Sequence, residues 1–165
     1  NDALETFRTT LWRQTLFAEF ELLTHQAVER GEGLSPDWMT REYGRLLGEY
    51  YGPDLVVDEQ VAHEWSRVPH FHRGFYVFQY ATGLVAATAL ARAVLSGDED
   101  ARRRYLAFLA AGSSKDSLDL LRDAGVDLTT PEPYLAAFAT VEQDLDTLEA
   151  ALRELGLIPR DEPSR

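Results

Sequence analysis

The sequence has no cysteine, and Lys115 is its one lysine. The lack of cysteine excludes disulfide bonds and thiolate metal sites. Asp and Glu number 28 against 16 Lys and Arg, which gives a net charge of −12 at pH 7. This acidity argues against nucleic acid or an anionic membrane as a partner, because both require clustered cations. We find no apolar run of the roughly 18 residues that span a membrane and no signal-peptide pattern, so we expect a cytoplasmic protein.

The remaining composition is that of a globular helical chain. Its 165 residues are 45% apolar and 27% charged. Apolar residues recur at helical spacing, and glycines follow most of the expected helix ends. The pattern predicts an all-α fold of about seven helices. We expect one helical domain over residues 1–158 and a disordered polar tail over residues 159–165.

Helix boundaries follow from capping residues. Ser35 before a proline and Asp58 before an amphipathic run predict two helix starts. The expected helices cover about residues 2–30, 36–52, 58–67, 73–97, 99–110, 114–124 and 130–156. The first helix is apolar on more than one side, which leaves two explanations open. Either the other helices surround it, or the chain is the C-terminal part of a larger protein.

A zinc-hydrolase motif begins at one place and is not completed. His63 and Glu64 open like the helical His-Glu-x-x-His motif, in which two histidines one turn apart hold the metal. The fifth position here is Arg67, and a cation cannot ligate zinc. Acid–histidine pairs one turn apart, such as Glu21 with His25, fit a solvated helix pair better than the Glu-x-x-His spacing of di-iron bundles. Serine-nucleophile and phosphate-loop motifs are also absent from the sequence.

The stretch RVPHFHRGFYVFQYATG, which begins at Arg67, concentrates histidines and tyrosines just past a proline. If a helix begins near Arg73, Tyr76 and Tyr80 lie one turn apart on the same face. Gly83, one turn further, would leave that face open to a ligand or a backbone.

Two histidines precede these tyrosines, and their meaning has two interpretations. His70 and His72 lie in the loop after the proline and could reach over the same surface. Phenol and imidazole donors that converge on one spot suit a carbonyl oxygen that gains negative charge. In the other interpretation the tyrosines are core residues with hydroxyls at the rim, and the histidines belong to a surface loop.

Three longer stretches closely resemble the C-terminal part of oligoendopeptidase F, a zinc metallopeptidase related to thimet oligopeptidase. They are FRTTLWRQTLFAEFE (Phe7 to Glu21), VDEQVAHEWSRVPHFHRGFYVFQYATG (Val57 to Gly83) and AGSSKDSLDLLRDAGVDL (Ala111 to Leu128). The resemblance covers nearly the whole chain, in the order of the family. It implies the C-terminal helical lobe portion of a larger enzyme that hydrolyses oligopeptides.

The resemblance also implies where the metal lies. In the family, the His-Glu-x-x-His helix and the third zinc ligand, a glutamate, precede the region that this chain resembles. Zinc is therefore expected in the full-length enzyme, with its ligands outside this chain and no metal held by the chain alone. The expected partners are an oligopeptide substrate and the missing upstream part of the same polypeptide. The chain by itself would then be inactive.

Residue roles are carried over from the family onto matching positions. The Pro-His dipeptide and the two tyrosines that follow it oppose the zinc, hold the substrate backbone and stabilise the oxyanion. The catalytic residues implied by the resemblance are His70, Tyr76 and Tyr80. The substrate-binding residues are expected to be His72, Arg73, Gln79 and Gly83. Position 72 is often tyrosine in the family, so His72 is expected to change which peptides are preferred.

The charges of the first helix have a structural interpretation. Arg13, Glu19 and Glu21 lie on an otherwise apolar helix, and buried charges need partners. We expect salt bridges to a neighbouring helix, with Asp58, Glu59 and Glu64 as candidate partners, unless these three residues lie near the cleft instead. An alternative function for the whole chain is an acidic helical protein-interaction module without catalysis, in which the aromatic residues form the core.

Overall fold

The computed structural model describes residues 2–54 and 56–159, and within these residues it contains helices and no strand. The α-helices are α1 (Asp2–Thr6), α2 (Arg13–Glu29), α3 (Pro36–Tyr51), α4 (Glu59–Ala62), α5 (Phe78–Leu95), α6 (Glu99–Ala111), α7 (Ser117–Asp123) and α8 (Glu132–Glu154). A π-helix (Phe7–Trp12) joins α1 to α2, and 3₁₀-helices cover Glu64–Arg67 and Pro69–His72. If the contiguous α1, π-helix and α2 are counted as one, the described residues form seven helices, which confirms the all-α prediction. Residues 160–165 of the predicted tail lie outside the described part.

The chain divides into two compact units. The continuous unit is Arg8–Thr82, and the discontinuous unit combines residues 1–7 with residues 83–165. The expectation of one domain over residues 1–158 stays a prediction.

Local capping chemistry fixes two helix starts in the continuous unit. The Ser35 hydroxyl accepts a hydrogen bond from the Trp38 N–H at 3.2 Å, and this bond begins α3. The Asp58 carboxylate accepts one from the Val61 N–H at 2.8 Å and begins α4. Each bond satisfies a backbone donor that the first helical turn leaves free. Gly52 ends α3 with a φ of 75°, a conformation that glycine adopts without strain.

The core of the continuous unit is largely aromatic. Its buried side chains are Leu16, Phe17, Phe20, Tyr43, Leu46, Leu47, Val68 and Val77. Phe71 packs against this core, with its ring centroid 5.5 Å from the centroids of both Phe17 and Phe20. Each large apolar side chain that is fully buried contributes about 1.5–3 kcal/mol. Through Phe71, the second 3₁₀-helix packs against the core that the side chains of α2 and α3 form.

The charged residues of α2 find partners of different kinds. Arg13 forms the expected salt bridge with Glu64. For Glu19 and Glu21 the expectation of a salt bridge is wrong, because the donors that meet these carboxylates in the described part of the chain are neutral. Glu19 accepts a hydrogen bond from the Tyr50 hydroxyl at 2.7 Å. Glu19 is only half-buried, and for the buried Glu21 a backbone N–H supplies the hydrogen bond that a carboxylate shielded from water requires.

In the discontinuous unit, the part of α5 that follows Thr82 packs with α6, with α7 and with the residues just after α7 around a smaller core. Its buried members are Ala86, Leu90, Ala124 and Val126. The Arg92 guanidinium of α5 donates hydrogen bonds to the Ala136 carbonyl oxygen at 3.0 Å and to the Thr140 hydroxyl at 2.7 Å, both on α8. These contacts join two helices that are distant in the sequence.

Helix α5 contradicts the expectation that no apolar run is long enough for a membrane span. Phe78–Leu95 reaches 18 residues with a mean hydropathy of 1.2, so by length and composition alone it could cross a membrane. Mostly buried core helices of soluble proteins pass the same test, but only 22% of this helix is buried within the described residues, Val85, Ala86 and Leu90 among them. The expectation of no membrane partner stays a prediction.

Candidate functional site

The segment Val68–Val77 carries most of the predicted site residues, and both of its ends are fixed. Val68 is 9% exposed and Val77 is fully buried. Between them, Pro69–His72 forms a 3₁₀-turn in which the Phe71 N–H donates to the Val68 carbonyl at 3.3 Å. Because Phe71 packs into the core, the turn has a fixed orientation, which leaves His70 half-buried beside it.

A strained residue separates this turn from α5. Phe75 has a φ of 55°, which places a bulky side chain in the left-handed region that favours glycine. Helix α5 begins at Phe78 and not near Arg73, so the expectation that Tyr76 and Tyr80 share one continuous helix is wrong. The physical reason is the positive φ of Phe75, which interrupts a right-handed helix at that point.

The structure nevertheless brings His70, Tyr76 and Tyr80 together, and we call these three residues the His–Tyr cluster. The Tyr80 hydroxyl lies 3.3 Å from the Tyr76 hydroxyl and 3.4 Å from Nε2 of His70. The Tyr80 ring stands edge-on to both other rings, with centroids 5.4 Å from Tyr76 and 5.7 Å from His70. The rings of His70 and Tyr76 are parallel, with an interplanar angle of 2° and centroids 5.8 Å apart.

The hydroxyls of the cluster are available to a ligand. Contacts of 3.3–3.4 Å are long for a bond donated by a hydroxyl, so they exchange readily for a shorter one. Tyr80 is exposed. Its hydrogen bond with Tyr76, assisted by desolvation, raises the pKa of the Tyr80 phenol above the ordinary value of 10.0. Tyr80 therefore keeps its proton at neutral pH and can donate it in a hydrogen bond.

The four predicted substrate-binding residues are all exposed: His72, Arg73, Gln79 and Gly83. The Arg73 guanidinium lies 5.5 Å from the centroid of the Tyr76 ring, within the range of a cation–π contact. At Gly83, which belongs to the discontinuous unit, a Cβ would meet no atom within 4 Å, so its surroundings are open.

A pocket of about 230 Å³ lies beside the 3₁₀-turn in the continuous unit. Its lining includes Glu21, His25, Met39, Trp65, Phe71 and His72. His72 is thus next to a small cavity of mixed polar and apolar character, a suitable size for one amino-acid side chain.

Potential metal ligands do not assemble in the described ranges 2–54 and 56–159, where no three His, Asp or Glu side chains form a group. The residues of the incomplete motif have other contacts. Nδ1 of His63 lies 2.6 Å from the Glu59 carbonyl oxygen, and Glu64 pairs with Arg13 and accepts a hydrogen bond from the Tyr43 hydroxyl at 2.8 Å. These residues do not fit a zinc site.

The role of Glu21 was not predicted from the sequence. Its side chain is 3% exposed, and one carboxylate oxygen accepts a hydrogen bond from the Phe75 N–H at 2.6 Å. The interpretation as a solvated pair with His25 is wrong, because Nδ1 of His25 lies 2.8 Å from the backbone carbonyl oxygen of Glu21. The signal in the sequence was the position of Glu21 one turn after Phe17, on the apolar face of α2.

Comparisons with known proteins agree on one family. Residues 1–140 match the family described as Peptidase family M3. The chain is 46% identical over 155 residues to Oligopeptidase PepF of Bacillus subtilis (strain 168), an alignment that covers 94% of this chain and 23% of that protein. It is 42% identical over 149 residues to plasmid-encoded Oligoendopeptidase F of Lactococcus lactis subsp. cremoris, with coverage of 90% and 25%.

A solved structure gives the same result for the fold. The crystal structure of oligoendopeptidase-F from Enterococcus faecium superposes with a TM-score of 0.91 at 41% sequence identity. The alignment covers 93% of this chain and 30% of that one. The chain thus spans about a quarter of the length of the curated relatives that it matches.

Proposed function

Because this chain belongs to Peptidase family M3, we propose that it is part of a zinc-dependent oligopeptidase that hydrolyses short peptides in the cytoplasm. Its part in that enzyme is the surface of the active site that lies opposite the zinc, where it binds the substrate and stabilises the oxyanion. The His–Tyr cluster carries the proposal, since the exposed Tyr80 places its hydroxyl 3.3 Å from the Tyr76 hydroxyl and 3.4 Å from Nε2 of His70, two further potential donors.

The cluster can present one strong donor to a substrate. In the structure, the Tyr80 hydroxyl donates a hydrogen bond to the Tyr76 hydroxyl. Rotation of the hydroxyl protons, with no movement of heavier atoms, lets Tyr80 accept from both the Tyr76 O–H and an Nε2–H of His70. A phenol oxygen has two lone pairs for these bonds, and its own proton then points outward. Two accepted bonds polarise that O–H and strengthen it as a donor.

This donor suits an oxygen that gains charge during the reaction. A peptide carbonyl becomes a tetrahedral oxyanion when water attacks it, and a positioned phenol stabilises the oxyanion more than the ground-state carbonyl. Tyr76 is half-buried beneath Arg73 and is better placed to hold the substrate backbone. We propose that His70, Tyr76 and Tyr80 act as donors and positioning groups and not as nucleophiles.

The other residues that we expect to contact the substrate are exposed on the surface. His72, Arg73 and Gln79 lie on or beside the same segment and can meet a peptide without rearrangement of the core. Gly83 offers an open backbone position in the discontinuous unit. We propose that His72, Arg73 and Gln79 contact the substrate and that His72 influences which peptides are preferred, while the substrate contact of Gly83 stays a prediction.

Zinc, when bound, polarises the scissile carbonyl and activates water. We propose that its ligands lie in a part of the polypeptide outside this chain, which covers 23% of the length of its relative Oligopeptidase PepF. The rest of that polypeptide is then the partner of this chain.

The test uses the full-length protein and an internally quenched peptide. Hydrolysis that is lost on metal chelation and restored by zinc is expected. His70→Ala should lower kcat/KM by about 10²-fold with unchanged zinc content, the scale of one lost oxyanion-stabilising contact. His63→Ala is the matched control, since His63 is an exposed histidine of the same unit outside the cluster, and it should leave kcat/KM unchanged. Loss of zinc from His70→Ala would show that His70 is a ligand and that the proposed division of roles is wrong.

A further inference from the structure

Glu21 is a buried carboxylate that acts on the backbone beside the His–Tyr cluster. The side chain is 3% exposed, and it accepts the Phe75 N–H at 2.6 Å across 54 positions of sequence. A hydrogen bond to a charged acceptor in a place shielded from water is strong, and an unpaired carboxylate there would be unstable. The bond therefore holds both partners in place.

Phe75 needs such a restraint. Its φ of 55° is unfavourable for a residue with a large side chain, so the conformation persists only where the surroundings impose it. A second contact comes from the same face of α2, where the His25 ring lies 4.4 Å from the Phe75 ring, centroid to centroid. Two residues one turn apart on α2 thus contact Phe75: Glu21 binds its backbone N–H and His25 packs against its ring.

The position of Phe75 in the chain connects it to all three residues of the His–Tyr cluster. Phe75 directly precedes Tyr76 and lies between the 3₁₀-turn that carries His70 and the helix that carries Tyr80. Relaxation of its φ toward ordinary values would rotate the backbone on which Tyr76 is mounted. The contacts of 3.3 Å and 3.4 Å at the Tyr80 hydroxyl are already at the upper limit of hydrogen-bond length, so such a rotation would break them.

We propose that Glu21 is a positioning residue of the active site, which holds Phe75 in its left-handed conformation and thereby aligns the His–Tyr cluster. The inference rests on the proposed function, because the aligned cluster matters for rate only if it contacts the reacting peptide. Glu21 itself does not touch the substrate in this scheme. A misplacement of about 1 Å in such groups can lower the rate by about 10²-fold.

The experiment compares Glu21→Ala, Glu21→Gln and Glu19→Gln in the full-length protein. Glu21→Gln keeps an acceptor oxygen but loses its charge, whereas Glu21→Ala removes the acceptor. Glu19→Gln is the matched control, because Glu19 lies on the same helix and accepts a hydrogen bond at 2.7 Å from Tyr50, away from the cluster. Steady-state kinetics, melting temperature and amide hydrogen exchange of Phe75 are measured for each variant.

We expect kcat to be lower than in wild type by about 3- to 10-fold in Glu21→Gln and by about 10- to 100-fold in Glu21→Ala. KM should change by less than about 3-fold in both variants. Exchange of the Phe75 amide should accelerate by at least about 10-fold in Glu21→Ala, because its acceptor is gone. Glu19→Gln should keep the wild-type kcat even where its melting temperature falls as far as that of Glu21→Gln. A purely structural role for Glu21 predicts equal kcat in the two glutamine variants.

The outcomes separate this inference from the proposed function. If wild-type protein hydrolyses peptides and both Glu21 variants retain its kcat, the positioning role is refuted and the proposed function stands. Unchanged exchange of the Phe75 amide in Glu21→Ala also refutes the positioning role. If the zinc-loaded wild type hydrolyses no peptide, both the proposed function and the inference built on it fail.

Discussion

Replacement of Tyr80 by phenylalanine removes one oxygen atom from the His–Tyr cluster and leaves the ring in place. The structure indicates a small effect on stability. The hydroxyl lies 3.3 Å from Tyr76 and 3.4 Å from His70, and the side chain is exposed, so water can replace this hydroxyl for both partners. We expect the melting temperature to fall by no more than about 2 °C.

The expected effect of Tyr80→Phe on rate is much larger. Loss of one donor to an oxyanion lowers kcat by about 10²–10³-fold, and KM should change by less than about 3-fold because the interaction strengthens only in the transition state. The assay is steady-state hydrolysis of a quenched peptide by the full-length protein, with zinc content measured on the same samples. Rate and stability should therefore respond very differently.

Tyr50→Phe is the control for this comparison. The Tyr50 hydroxyl donates a shorter bond, 2.7 Å, to Glu19, so its loss should cost more stability than the loss of the Tyr80 hydroxyl. It should leave kcat unchanged, because Tyr50 is not part of the cluster. A Tyr80→Phe enzyme with near wild-type kcat, or with a larger loss of stability than Tyr50→Phe, would refute the reasoning.

Three further predictions concern the same unit. Tyr76→Phe should mainly raise KM if Tyr76 holds the substrate backbone, and should lower kcat as Tyr80→Phe does if both hydroxyls contact the oxyanion; kinetics on one peptide separates the two cases. Tyr43→Phe should lower the free energy of unfolding by about 1–3 kcal/mol in chemical denaturation, because the buried Tyr43 hydroxyl donates to Glu64 at 2.8 Å and the carboxylate would lose that donor. The pKa of the Tyr80 phenol lies above its ordinary value of 10.0, so ionisation of this group should remove no activity as pH rises from 7 to about 9. A loss of activity within that range that wild type shows and Tyr80→Phe lacks would contradict this.

The parts of the fold that depend on nearby residues could be predicted from the sequence. The caps at Ser35 and Asp58 involve donors three residues ahead, and both were anticipated from residue type alone. A salt bridge for Arg13 was also anticipated, since a cation on an apolar helix has few ways to be satisfied, but Glu64 was only one of three candidate partners. The all-α architecture follows from the same local signals.

The start of α5 could not be read from local sequence, because a distant residue determines it. Nothing in the residues around Phe75 announces a positive φ, which most non-glycine residues avoid. Glu21 imposes it from another helix, and the sequence offered a salt bridge as the more ordinary partner for that carboxylate. The convergence of Tyr76 and Tyr80 was predicted, but through a helical geometry that the structure does not have.

The two buried valines that fix the site segment also bear on how this surface can evolve. Val68 and Val77 attach the ends of the segment to the core, and Phe71 attaches its middle. A substitution at an exposed position between them, such as His72, changes stability by no more than about 0.5 kcal/mol in ordinary cases. If the proposed function holds, peptide preference and folding stability thus depend on different residues of the same short segment. Selection can diversify one of them while the other stays constant.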